Sequence, residues 1–208
     1  MKILSVDCAE KTLAVIVLEI RENLWNSALD SINNLFAKNI TVEYLKNIND
    51  TLDNVIKIIS ACMISTKITD VPALKRDVMT IQSIKRELDK LDLFFPNMRV
   101  LIEYQMSNNF KSRAIQNALI MYFSDYDVEL IMPSLKNKFA WSDALIYQEF
   151  ARKYKSNYTI NKKHCEGNFV KYLNMVGIRD KFNYAKLDDI SDAFMQAIAW
   201  YVFKYSNN

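Results

Sequence analysis

Residues 99–105 read RVLIEYQ, an almost wholly apolar stretch that ends on a glutamate. It is too short for a helix of ordinary length. A strand with one solvated face alternates apolar and polar residues, so a continuous apolar run marks a strand covered on both faces. Such strands belong to sheets with helices packed above and below. A carboxylate ending that strand is costly to bury unless it is paired, which makes Glu103 a residue to follow.

Working outward, KILSVDCA (2–9) and TLAVIVLEI (12–20) predict two antiparallel strands joined through the short AEK. NITVEYL (39–45) predicts a third. From Asn49 onward, NDTLDNVIKIISACMIS places Leu52, Val55, Ile56, Ile59 and Met63 at helical spacing, with Asn49 or Asp50 as cap. ALKRDVMTIQSIKRELDKLDLF predicts a second amphipathic helix, and residues 109–123 another after the RVLIEYQ strand. VELIMP (128–133) predicts a further buried strand stopped by Pro133. Residues 142–154 predict a helix capped by Ser142. YKSNYTINKKHCEG (154–167) reads as a polar, basic loop. NFVKYLNMVGI (168–178) is helical and closed by Gly177, and the last helix runs from Leu187 to Tyr205. The order of elements predicts an α/β fold: a mixed five-stranded sheet with helices on both faces. The 208 residues, without repeat or clear linker, suit a single domain spanning 1–208, with a possible insertion around 21–50.

Composition narrows the function. Only two glycines occur, which excludes Gly-rich phosphate loops. Cys8, Cys62 and Cys165 show no metal-ligand spacing, and the N-terminal residues have no signal-peptide pattern. The expectation is an intracellular protein in a reducing compartment. No apolar run approaches the ~20 residues of a membrane span. From Pro133 to Lys186 there are 11 Lys and Arg against 4 Asp and Glu, either a solvated face or a surface for a polyanion.

The carboxylates form a set. Asp7 ends the first strand and Glu103 ends a later one. If the two strands are parallel neighbours, both acids emerge at one edge, where α/β sheets gather their ligands. In KLDDISDAF (186–194), Asp189 and Asp192 share a helix face, with Asp188 turned away. Taken singly, Asp188 or Asp189 is also an ordinary first-turn acid favoured by the helix dipole. Together, four acids at one edge repel unless neutralised. An all-carboxylate set selects Mg²⁺, with Mn²⁺ as substitute, and two such ions suit phosphodiester chemistry.

SVDCAEKT, LIEYQ and DDISDA resemble the corresponding motifs of RuvC-type Holliday-junction resolvases, and more closely those of the poxvirus and fungal mitochondrial branch. PSLKNKF and the Lys-rich NKKHCEGNFVKYL are similar as well. The resemblance spans most of the chain and is weakest over residues 21–50. It implies an RNase H-like fold, a homodimer, and Mg²⁺-dependent paired nicking of a four-way DNA junction, in a virus-infected cytoplasm, a phage-infected cell or a mitochondrion. It implies that Asp7, Glu103, Asp189 and Asp192 are the catalytic, metal-binding acids, that Gln105 contacts substrate, and that Lys162 and Lys163 approach the scissile phosphate. Lys163 is the lysine expected to act in catalysis. The run Asp7-Cys8-Ala9 departs from the family pattern, which usually has glycine where Ala9 stands.

Lys136 and Lys138 add candidate phosphate contacts. His164, the only histidine, is a possible leaving-group acid or an exposed loop residue. Tyr154, Tyr158, Phe169 and Tyr172 interleave with lysines, as base-stacking aromatics do, and as core residues also do. Alternative functions within the same fold are an RNase H-type or flap nuclease. From another class comes a non-catalytic junction-binding scaffold.

Overall fold

The computed structural model describes residues 1–9, 11–25, 54–67, 72–93, 95–138, 152–182 and 187–205. The expected strand at 39–45, the caps at Asn49 and Asp50, most of the possible insertion, and residues 142–151 of the expected helix lie outside the described residues.

Five strands form one mixed sheet. They are β1 (Lys2–Cys8), β2 (Thr12–Ile20), β3 (Ile56–Ser65), β4 (Arg99–Glu103) and β5 (Asp127–Ile131), in the order β3-β2-β1-β4-β5. β1 and β2 pair antiparallel from Lys2↔Glu19 to Cys8↔Leu13. β1 and β4 pair parallel from Ile3↔Arg99 to Val6↔Ile102, one residue short of Asp7 and Glu103. β5 extends the sheet in parallel on the far side of β4.

The apolar residues of β1 and β4 alternate between two different cores. Ile3 and Leu101 point to one face, with Phe169, Leu173, Phe194 and Ile198 from the helices α4 (Asn157–Met175) and α5 (Leu187–Tyr205). Leu4, Val6, Val100 and Ile102 point to the other face, with Ile84 and Leu88 of α1 (Ala73–Lys90) and Ile115 and Leu119 of α2 (Phe110–Tyr122). By the same alternation Ser5 and Asp7 face α5, and so does Glu103. A four-residue helix, α3 (Leu135–Lys138), follows β5.

The structure differs from the sequence expectation in three places. β5, expected to be buried, is the outer strand of the described sheet; Leu130 is exposed and only Ile131 is buried, because β5 pairs with β4 on one side alone among the described residues. Residues 56–65 form β3, not a helix, and pair with β2 from Thr12↔Ser65 to Ile20↔Ile56. The helical spacing there competes with a β-branched run, and β2 is buried along nearly its whole length with one edge to be hydrogen-bonded. Pairing that edge outweighs local periodicity. The expected basic loop at 154–167 is largely helix, since α4 begins at Asn157. Its buried residues Ile160, His164, Cys165, Asn168, Phe169, Tyr172 and Leu173 form one two-wide helical stripe. Gly177, at φ +69, takes the left-handed conformation just past the end of α4.

Candidate active site

The parallel pairing of β1 with β4 brings Asp7 and Glu103 side by side at the carboxyl edge of the sheet. α5 crosses this edge with its first turns. It is buried almost all round from Leu187 to Tyr201, Asp189 and Asp192 included. The acids therefore open the helix because that end meets the sheet edge.

Two lysines join the acids. Lys136, from α3, places Nζ 3.1 Å from Asp192 Oδ2, 3.2 Å from Glu103 Oε1 and 3.9 Å from Asp7 Oδ1. Lys162, from α4, places Nζ 2.8 Å from Asp189 Oδ1, 3.0 Å from Asp188 Oδ2 and 3.8 Å from Asp192 Oδ2. The site thus divides into two groups of acids, each around one ammonium, and Asp192 belongs to both. Further donors fix individual carboxylates. The Thr12 hydroxyl donates to Asp189 Oδ2 at 2.7 Å. Gln105 Nε2 donates to Glu103 Oε2 at 3.2 Å, and the Gln105 backbone N–H donates to Gln116 Oε1 at 2.6 Å.

The charges remain unbalanced, with five carboxylates against two ammoniums. Burial pushes the Asp7 carboxyl well above the ordinary carboxylate value, Glu103 pushes it the same way, and Lys136 and Lys162 only partly oppose them. Burial also raises Asp192, against the pull of Lys136. For Lys136 burial disfavours the ammonium, but Asp7, Asp192 and Glu103 overcome it and hold the lysine above its usual value. Lys162 is likewise raised by Asp189 and its neighbours in spite of burial. The buried Cys165 thiol is pushed up by burial and by the charge of Asp192, so it stays neutral.

Beside the acids opens a cleft of about 520 Å³, lined by Asp7, Glu103, Gln105, Lys136, Lys162 and Asp192 and rimmed by Met106, Asn109 and Tyr158. Both lysine ammoniums reach this cleft, each engaged by carboxylates.

Solved structures share this arrangement of chain. Fowlpox virus resolvase with its substrate Holliday junction DNA matches at a TM-score of 0.59 and 18% identity, over 99% of this chain and 99% of that one. Thermus thermophilus RuvC in complex with Holliday junction substrate matches at a TM-score of 0.52 and 13% identity, over 99% of this chain and 98% of that one. The fold is that of the RuvC-type resolvases. Fowlpox virus resolvase alone matches at 0.56 and 17% identity, over 98% of this chain and 99% of that one. No family model and no curated protein matches the sequence. The fungal mitochondrial likeness rests on sequence motifs alone.

On this resolvase fold the expected site residues separate. Asp7, Glu103, Asp189 and Asp192 converge, and Asp188 touches the group through Lys162 with its side chain 36% exposed. Gln105 lines the cleft. Lys163 pairs with Glu166 at 2.5 Å in its own helix, and its side chain is 43% exposed. Lys138 ends α3, and its side chain lies outside the described residues. His164 is buried, with its pKa lowered by that burial, and does not line the cleft. Tyr172 and Phe169 belong to the core, whereas Tyr158 is exposed at the rim.

Three residues were not singled out from sequence. Gln196 is buried, and its Nε2 donates to Ser5 Oγ at 3.1 Å and to the Val6 and Leu101 carbonyls at 3.4 and 3.5 Å. Its signal was a lone amide inside MQAIAWYVF, one turn after Asp192. Thr12 and Gln116 carried no signal, because each is defined by a partner distant in sequence.

The donor set fits a hard divalent cation. Its atoms are carboxylate oxygens, and Asp192 Oδ1 is buried without a hydrogen-bond partner. Among the described residues no three His, Cys, Asp or Glu side chains form a ready-made metal cage. The Lys136 ammonium lies between the oxygens that would have to close on an ion.

Proposed function

We propose that the chain is a divalent-metal-dependent endonuclease that resolves four-way DNA junctions by paired nicks. The convergence of Asp7, Glu103 and Asp192, from the first strand, a central strand and the last helix, carries this reading. The likeness to resolvases solved with Holliday junction DNA selects the branched substrate among phosphodiesters.

Asp7, Glu103, Asp189 and Asp192 would hold Mg²⁺ or Mn²⁺. When bound, the metal supplies Lewis-acid charge to the phosphodiester and lowers the pKa of the attacking water. The remaining work belongs to the chain. Gln116 holds Gln105, and Gln105 holds Glu103 in one rotamer, as partners of metal-binding carboxylates do. Thr12 fixes Asp189. Lys162 reaches the cleft as a mobile point charge suited to a phosphate oxygen. Phosphate contacts of this kind position the substrate and carry little base preference.

Paired nicking needs two clefts. With one carboxylate cluster among the described residues, two copies of the chain on one junction would supply them, in keeping with the homodimer that the resemblance implies.

The test is a labelled four-way junction, a flap and an RNA–DNA hybrid, each incubated with Mg²⁺, with EDTA, and with Asp192→Asn. Symmetric junction nicks lost in EDTA and in the variant are expected. Preferred cutting of the hybrid or flap would reassign the substrate. Tight junction binding with no cutting under any divalent ion would make the protein a binding scaffold.

A further inference from the structure

We propose that Lys136 is an exchangeable cation: its ammonium leaves Asp7, Glu103 and Asp192 when a divalent ion binds them, and swings into the cleft to meet a DNA phosphate. This rests on the metal-nuclease reading above and adds a coupling between metal uptake and DNA grip.

The argument starts from position. Lys136 is anchored at its backbone, since Leu135 packs against the core and its N–H bonds the Met132 carbonyl at 2.9 Å. Only the flexible stem is left to move, and it lines the open cleft. Its ammonium lies 3.1–3.9 Å from oxygens of three of the four acids that would bind metal. A divalent ion on those oxygens would sit within a few ångströms of a like charge in a poorly solvated place, so the two cations exclude each other.

The two lysines are not equivalent. Lys162 holds Asp189, Asp188 and Asp192 at 2.8, 3.0 and 3.8 Å, all three from α5. Lys136 spans three acids at 3.1, 3.2 and 3.9 Å. Its three acids come from three elements, β1, β4 and α5, so it is the cation that an ion at their meeting point has to displace. Once expelled it has somewhere to go, because the cleft of about 520 Å³ beside it, lined by Lys162 as well, has room for a DNA phosphate.

The test follows the Lys136 amine directly. Metal-free protein and protein with saturating Mn²⁺ are briefly acetylated with an N-hydroxysuccinimide ester, and labelling at each lysine is read by mass spectrometry. Mn²⁺ uptake is followed in the same samples by electron paramagnetic resonance. Labelling of Lys136 is expected to rise about tenfold with Mn²⁺, as a buried paired amine becomes a solvated one. Lys204, paired with Glu129 at the surface, is expected not to change. Lys136→Met is expected to bind Mn²⁺ roughly tenfold more tightly than the native chain, because no ammonium must be displaced. Lys136 staying protected with Mn²⁺ bound, or Lys136→Met binding no more tightly, would overturn the exchange and leave the nuclease reading intact. No Mn²⁺ uptake by the native chain would overturn both.

Discussion

Gln196 donates to the Ser5 hydroxyl at 3.1 Å, joining the last helix to the first strand directly beneath the carboxylates. Ser5 stands two residues before Asp7, Leu101 two before Glu103, and Gln196 one turn after Asp192. A single buried amide therefore touches the neighbour of every acid in the Lys136 group and sets the depth at which α5 crosses the sheet. Gln196→Met keeps the volume and removes the donor. It is expected to fold, to lose about 1–3 kcal/mol of stability, and to weaken Mn²⁺ binding by roughly 10–100-fold. Native metal affinity in a folded Gln196→Met variant would show that packing alone holds the acids apart.

Asp7 yields a pH prediction. Its carboxyl is held above the ordinary value, mainly by burial, so the folded chain keeps a proton there that the unfolded chain releases near pH 3.8. The stability tied to that proton is complete below the unfolded value and is lost as pH rises through the raised folded value. Asp7→Asn removes this slope. In EDTA near pH 8 the variant is expected to melt higher by roughly 2–4 °C, the shift of about 1 kcal/mol in a chain of this size. With Mg²⁺ present it is expected to cut nothing. An Asp7→Asn protein that melts lower than the native chain in EDTA would mean that the Asp7 charge stabilises the fold.

The two neighbouring lysines of α4 are expected to behave differently. Lys162→Ala leaves Asp188 and Asp189 without their counter-charge and empties one wall of the cleft, so kcat is expected to fall on the order of 10²–10³-fold. Lys163→Ala removes an exposed partner of Glu166 and is expected to cost less than about tenfold, chiefly in junction affinity and its salt dependence. Single-turnover cleavage at two salt concentrations separates the two effects. Equal losses of rate would place both amines at the phosphate.

Paired nicking gives a stoichiometric prediction. Mixing native protein with Asp192→Asn protein after subunit exchange should produce dimers that nick one strand of a junction and stop. Such half-cut junctions, held in a supercoiled cruciform plasmid, appear as nicked circles instead of linear DNA. Linear product in proportion to the native chain alone would rule out cooperation of two subunits on one junction.

Much of the fold was legible because its decisive strands are costly to misplace. RVLIEYQ and KILSVDCA carry apolar residues on both faces and an acid at the end, and DDISDA starts an otherwise apolar helix. Few environments accept such patterns. β3 was not legible, since Ile56, Ile59 and Met63 satisfy helical spacing while the unpaired edge of β2, distant in sequence, decides their pairing. The start of α4 was hidden by Lys162, Lys163 and Gly167, although Ile160, His164, Cys165, Asn168 and Phe169 already described its buried stripe. Lys136 was legible as a candidate phosphate contact, but its place among the acids was not. A lysine in a basic stretch reads as surface, and only the crossing of α5 over β1 and β4 turns it inward.

That crossing has a bearing on biosynthesis. Asp7 is made well before Asp192, which follows all five described strands along the chain. A polypeptide still emerging from the ribosome can pair its strands, yet it lacks the element that completes the cleft. On the proposed nuclease reading, hydrolytic competence would arise only once α5 has been made and has closed over the sheet edge.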